Sequence, residues 1–166
     1  MQTEYEITRL IDIEQLKALK ARYLWALDTK QWDAMGETFA VDGVFEVRGL
    51  VAVGRQNIVA LIRGNVEAAV TVHSAYTPDI SVDRPTGTGR WGFSDYVEHP
   101  SSEGHRGYGY YEDTYVLDDG AWVMSHCRVS RIRIDPLPAG EPEWVRNLPR
   151  AADPSQPAAS TKNGES

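Results

Sequence analysis

The apolar positions of the chain change period near residue 70. Before it they recur at helical spacing, and after it they alternate. Ile13, Leu16, Leu19, Tyr23, Leu24 and Leu27 mark one face of a first helix that fades at Asp28–Thr29. Asp12 stands where an N-cap belongs, Gln15 completes a capping box, and Ile11 with Leu16 has the spacing of a hydrophobic staple. A short second helix fits Gln31 to Phe39. DGVFEV reads as a strand after a turn at Asp42–Gly43, and Arg55 to Arg63 as a helix closed by Gly64. Then come alternating runs, Thr71–Tyr76, Asp79–Val82, Gly87–Glu98, Gly107–Leu117 and Ala121–Ile134. Asp118–Asp119–Gly120 is a hairpin turn between the last two, and His99 to Gly104 is a polar loop. Helices followed by antiparallel strands predict an α+β fold, with helices on one face of a curved sheet. Gly92 and Gly109 are places for the long strands to bend, so that the sheet encloses a cone.

Composition limits the folded unit. Six of the nine prolines lie between Pro136 and Ser166. This predicts a cone domain over 1–135, a docking segment over 136–150 anchored by Trp144 and Val145, and a disordered tail over 151–166. Lys plus Arg is 17 against 24 Asp plus Glu, a net charge of −7, which argues against a nucleic-acid partner. No apolar run approaches the roughly 18 residues of a membrane helix. The opening MQTEYEITRL lacks the basic and apolar regions of a signal peptide. One cysteine, Cys127, excludes an intrachain disulfide and a cysteine-based zinc site. The expectation is a cytoplasmic protein whose partner is a small molecule or another copy of itself.

Several residues stand out chemically. Asp28 ends the first helix, where the macrodipole disfavours a carboxylate without a cationic partner. It reads either as an acid that orients a histidine or, with Gln31, as the cap of the second helix. His73, in TVHSAY, is a candidate general base. Taken alone, it is better read as a structural histidine bonded to a carbonyl. His99 and His105 fall in or beside the polar loop and read as exposed. His126 and Cys127 alternate, which counts against a Cys–His nucleophilic pair. Asp95 shares a strand face with Trp91, Phe93 and Val97, and reads either as an inward acid that needs a partner or as an outward, solvated one. Along the last strand, Val123, Ser125, Cys127, Val129, Arg131 and Arg133 share one face, and Trp122, Met124, His126, Arg128, Ser130 and Ile132 the other. Arg131 is either a cavity residue or a surface ion-pair partner. Tyr23 lies about 140° round the helix from Asp28. No spacing suggests a metal site, and no glycine-rich nucleotide loop or serine-hydrolase motif occurs.

The segments ARYLWALDTKQWD, TVHSAYTPDI, TGTGRWGFSDY and GYYEDTYVLDDGAWVMSHCRVSRI together resemble the SnoaL-like branch of the nuclear-transport-factor-two-like superfamily over roughly residues 5–135. The resemblance is strongest to bile-acid 7α-dehydratases, and scytalone dehydratase and hexachlorocyclohexane dehydrochlorinase are more distant. It implies a cone with a deep apolar pocket and cofactor-free elimination of water from a hydrophobic polycyclic molecule, steroid-like or polyketide-like. It also implies roles: His73 as catalytic base, Asp28 as its paired acid, Tyr23 as a substrate hydrogen-bond donor, and Asp95 and Arg131 as pocket residues. Val47 stands about where the bile-acid enzymes carry a pocket tyrosine, and Tyr76 where they carry a second histidine. Asp95, if protonated, would donate to the leaving group. A cyclase or isomerase using the same dyad and a non-catalytic binding module are the alternatives. A homodimer or homotrimer is expected.

Overall fold

A computed structural model describes residues 2–101 and 103–137. The tail, and all but the first two residues of the expected docking segment, including Trp144 and Val145, lie outside the described residues. The fold is α+β. Helices α1 (Gln2–Asp28), α2 (Trp32–Glu37) and α3 (Arg55–Val66) pack on a curved, unclosed six-stranded sheet. Its strands are β1 (Phe39–Val47), β2 (Leu50–Val53), β3 (Val70–Asp83), β4 (Thr86–Glu98), β5 (Gly104–Asp118) and β6 (Ala121–Pro136), in the order β2-β1-β6-β5-β4-β3. β1 runs parallel to β6, and every other pair is antiparallel.

α1 begins well before Asp12, so Asp12 is no cap. It lies 0% exposed in mid-helix. Its carboxylate accepts hydrogen bonds from Arg84 Nε at 2.6 Å, Arg84 Nη2 at 2.5 Å and Trp122 Nε1 at 3.0 Å. A capping-box spacing can recur inside a helix, and these distant partners are what make burial of the acid tolerable. Ile11, assigned to a staple, is exposed. The C-terminus of α1 forms where the pattern predicts, by a Schellman arrangement. Lys30 N–H bonds Leu27 O at 3.2 Å and Gln31 N–H bonds Ala26 O at 2.8 Å. Lys30 takes the left-handed position usually given to glycine, at φ 60°. α3 runs through Gly64 to Val66 and is capped by Glu67 in right-handed conformation, so Gly64 does not close it.

Two strand features escaped the alternation. β2 pairs with β1 across the turn Arg48 (φ 52°) and Gly49 (φ 80°), the left-handed pair that a two-residue hairpin requires. The supposed turn at Asp42–Gly43 lies inside β1, at an irregularity in its pairing with β6. The Asp119–Gly120 hairpin forms as expected, with φ 47° and 79°.

β-Bulges set the phase of the long strands. In β3, Thr77 and Pro78 oppose the single residue Trp91. In β6, Thr114 pairs with His126 and Tyr115 with Met124, leaving Ser125 as the extra residue. Simple alternation puts Met124 and Cys127 on opposite faces. The Ser125 bulge reverses the parity, and Trp122, Met124 and Cys127 are all buried. A second bulge at Ile132 sits between Arg131, which pairs with Gly109, and Arg133, which pairs with Tyr108.

The core lies between α1 and the concave sheet face. Leu16, Leu19, Tyr23, Leu24 and Leu27 meet Phe39, Phe45, Phe93, Tyr111, Met124 and Cys127. Inside it is a buried polar cluster. Lys20 Nζ stands 2.9 Å from Asp113 Oδ2 and 3.5 Å from the Tyr111 ring centre. Tyr115 O–H donates to Asp113 at 2.8 Å, and Trp91 Nε1–H donates to the Tyr115 hydroxyl at 3.0 Å. Every member is buried and partnered, as a polar group in such a place must be.

Candidate active site

Strand register brings the candidate residues together. On the concave face His73 of β3 pairs with Asp95 of β4, and Asp95 pairs with Gly107 of β5. A Cβ on Gly107 would fall 1.9 Å from Arg131 Nη1 and 2.2 Å from Asp95 Oδ1. The missing side chain is therefore the space in which Arg131, reaching over from β6, meets Asp95. The pair is bidentate, Nη1 to Oδ1 at 2.9 Å and Nη2 to Oδ2 at 2.5 Å.

His73 is fixed from behind by Asp28. Nδ1 lies 2.7 Å from Asp28 Oδ1, and the His73 backbone N–H donates to Oδ2 at 2.7 Å. Thr71 Oγ1–H donates to Oδ1 at 2.9 Å, and Lys30 Nζ donates to Thr71 Oγ1 at 2.7 Å. The chain Lys30–Thr71–Asp28–His73 supplies the cationic support that an acid at a helix C-terminus needs. Burial lowers the Lys30 proton affinity, against the pull of Asp28. α2 is capped at Gln31 without a side-chain bond, so the capping alternative for Asp28 is not realised. With Nδ1 on the carboxylate, the neutral imidazole carries its proton there and leaves Nε2 as the basic nitrogen. Nε2 stands 3.9 Å from Asp95 Oδ2, beyond hydrogen-bond reach.

A cavity of about 440 Å³ opens before His73, within the range of sites for drug-sized ligands. Tyr23, Val47, His73, Asp95 and Arg131 all line it. Asp28 does not, because it stands behind the imidazole, which resolves its angular separation from Tyr23. Tyr76 points away. It lies on the outer face, its ring covers Gly92, and its O–H donates to Phe93 O at 3.1 Å. The odd residues of β3 face the cavity there, and Tyr76 is even.

Tyr23 is buried against the edges of Phe39 and Tyr111, and burial raises its pKa well above the ordinary value, so it keeps its proton. Burial pushes the Asp95 carboxyl upward, but the hydrogen bonds and charge of Arg131 outweigh this and hold it below the usual range. Asp95 is thus an ionised partner of Arg131, not the protonated donor anticipated from the sequence. His99 and His105 also line the cavity instead of standing free in the loop. Sequence reasoning missed Thr71, Lys30 and Tyr111 as well. Two of these carried a usable signal, since Thr71 faces inward two residues before His73 and Tyr111 shares its parity with Gly107. Lys30 carried none. Among the described residues no group of three His, Cys, Asp or Glu converges as metal ligands would.

Residues 8–128 match the SnoaL-like domain. An Asp-to-Asn variant of Rv3472 from Mycobacterium tuberculosis, a protein of unknown function, superposes with a TM-score of 0.68 at 25% identity, over 75% of this chain and 79% of that one. The type 2 hexachlorocyclohexane dehydrochlorinase LinA gives 0.75 at 16%, over 83% and 98%. A scytalone dehydratase-like protein from Novosphingobium aromaticivorans gives 0.71 at 18%, over 81% and 94%. At those last identities the likeness is one of fold alone, while the domain match spans most of the chain. The protein belongs to the SnoaL-like domain family, with the cone fold of the nuclear-transport-factor-two-like superfamily.

Proposed function

We propose that the protein is a cofactor-free lyase that eliminates water from a hydrophobic, ring-containing small molecule, with His73 and Asp28 as its acid–base pair. The observation that supports this most is the 2.7 Å contact between His73 Nδ1 and Asp28 Oδ1, which leaves Nε2 free beside an apolar cavity. His73 Nε2 takes a proton from carbon activated by a carbonyl or conjugated system. The C–H electrons form the new double bond and the C–O bond breaks. The proton on Nε2 passes to the departing hydroxyl, which leaves as water, so the enzyme ends as it began. Asp28 stabilises the transient imidazolium in surroundings that exclude water. Tyr23 donates a hydrogen bond to the developing enolate. The Arg131–Asp95 pair forms a fixed wall beside His73.

The test is turnover of hydroxylated steroid and polyketide ketones, read by mass. Loss of the mass of one water from the substrate is expected, and His73→Ala should lower the rate by roughly 10²–10⁴-fold with the fold intact. Undiminished turnover in a folded His73→Ala protein sinks the reading. A product of unchanged mass would assign the dyad to isomerisation or cyclisation.

The same reading takes the protein as a homo-oligomer. Val70, Val72, Tyr76, Tyr108 and Tyr110 make an exposed apolar patch on the outer sheet face. Light scattering on the eluted protein should give a dimer or trimer mass, and Tyr110→Lys should lower it. A monomer at micromolar concentration contradicts this.

A further inference from the structure

The elimination proposed above makes no use of the buried charge in the core. Lys20 is 1% exposed, on the face of α1 that otherwise buries Leu16, Leu19, Tyr23 and Leu27. A buried ion pair is often no more stable than apolar side chains of the same size, so packing alone does not call for Lys20 and Asp113 there. What the pair does is hold an ammonium against an aromatic face. Lys20 Nζ donates to Asp113 Oδ1 at 3.2 Å and lies 2.9 Å from Oδ2, and the Trp91–Tyr115 chain fixes the carboxylate from its other side. Nζ thereby stands 3.5 Å from the centre of the Tyr111 ring and 5.1 Å from that of Tyr23.

Tyr111 also belongs to the cavity. It lines the wall beside Tyr23 and Phe93, and its ring is held between them, 6.4 Å from the first centre and 4.8 Å from the second. Its hydroxyl has no hydrogen-bond partner among the described residues. The unpartnered side-chain atoms that are sealed off lie on His105, His126 and Arg131, so the Tyr111 hydroxyl opens onto the cavity. Burial above all raises its pKa well above the ordinary value, so it keeps its proton and is a donor.

We propose that Tyr111 is a second catalytic hydrogen-bond donor beside Tyr23, directed at the oxygen that gains charge as His73 removes the proton, and that Lys20 is a positioning residue that strengthens this donor through the ring. The proposal rests on the lyase reading for the identity of that oxygen. The face of a neutral phenol already attracts an ammonium. As the O–H shares its proton with an oxyanion, electron density flows into the ring, and the attraction grows. An interaction that is stronger in the transition state than in the bound substrate raises kcat and not only affinity. The proton stays on Tyr111 throughout, so His73 remains the base.

The experiment reads the hydrogen bond directly, with fluorenone bound to the full chain as the probe. This rigid ring ketone has no hydroxyl to eliminate, so its carbonyl stretching band in the infrared reports donation to its oxygen whether or not the protein is a lyase. The bound band should fall below its position in a hydrocarbon solvent, Tyr111→Phe should raise it, and Lys20→Met with Asp113→Leu should raise it part of the way. In the Tyr111→Phe background the same two substitutions should leave the band where it is, which a purely structural role for Lys20 does not give. On a substrate, Tyr111→Phe should lower kcat roughly 10²-fold and the charge-pair variant roughly tenfold, with KM little changed. Tyr111→Phe removes one oxygen and no carbon, so it tests the donor even where the charge-pair variant folds poorly. A band unmoved by Tyr111→Phe, no saturable binding of fluorenone, or an undiminished effect of the charge-pair substitutions in the Tyr111→Phe background overturns the proposal. The expected band shifts without turnover of any hydroxyketone would sink the lyase reading and leave the two tyrosine donors in place.

Discussion

Lys30 is the residue whose cost is most visible. A lysine at φ 60° occupies a position that glycine fills more cheaply. What it gains there is the 2.7 Å contact from Nζ to Thr71, whose hydroxyl holds Asp28. The expected outcome of Lys30→Gly is a protein that melts no lower than the parent but turns over more slowly, with a pH–rate profile displaced relative to the parent. Thr71→Val should slow turnover too, and Thr71→Ser should restore it. A Lys30→Gly enzyme with unchanged rate and profile would make the lysine a surface residue only. Legibility at this scale depended on where a residue's partners lie. His73 and Asp95 could be placed because alternation in TVHSAY and WGFSDY is regular. Asp12 was misread because its partners are 72 and 110 positions away, while the capping pattern that suggested otherwise is local. Thr71 had an inward place two residues before His73, but the Asp28 partner that gives it a role is 43 positions away.

Among the elements, α1 and the sheet are joined by charge as well as by apolar contact. Lys20 and Asp113 are no more than 1% exposed. Removing one partner strands the other without water. Lys20→Met should therefore cost roughly 3–5 kcal/mol, and Lys20→Met with Asp113→Leu should recover much of the loss. Denaturant unfolding of the single and double variants checks this, and a double variant no better than the single would show that the pair does not act as a unit. The helix-then-strand order and the Asp119–Gly120 hairpin were legible because each has its own local chemistry. β2 was not, since Arg-Gly is a weak turn signal and the strand has only four residues. The Ser125 bulge was not either, because nothing in MSHC distinguishes an extra residue from a regular one. The face assignment of Trp122 and Met124 therefore failed with it.

For the molecule as a whole, acid sensitivity follows from which groups titrate differently when folded. Arg84, by its hydrogen bonds above all, holds the Asp12 carboxyl below its ordinary value, and Asp95 is likewise held low once Arg131 has outweighed the effect of burial. A depressed carboxylate stabilises the fold fully above its unfolded value, about 4, and the benefit disappears as pH falls through the folded value. His105 is depressed as well, so its contribution is present above about 6.5 and declines as pH falls below that. Stability should therefore drop in two stages on acidification, shallow below about 6.5 and steep below about 4. Urea midpoints across that range measure it. His105→Gln should flatten the first stage and Asp12→Asn the second, and midpoints independent of pH would contradict the account. The cone itself was anticipated from the order of elements and the long strands. Its cavity chemistry was only partly anticipated, because Arg48, His99 and His105 join the lining from a turn, a loop and a strand end that are remote in the chain.

The two bulges of β6 enclose the stretch from His126 to Arg131 and give it a phase of its own. Within that stretch, residue number and side-chain direction are decoupled from the rest of the strand. A single-residue deletion there acts less as a shortening than as an inversion. Loss of Arg128 would turn Val129 and Arg131 out toward solvent and bring Ser130 inward, unless a nearby insertion restored the count, whereas loss of the extra residue Ser125 would only regularise the strand and leave every face as it is. Between the bulges, substitutions can be tolerated one at a time, but changes of length can be tolerated only in compensating pairs. Homologues that retain the Arg131–Asp95 contact should therefore show single gaps in this strand only at the two bulges, and between them gaps that come in twos.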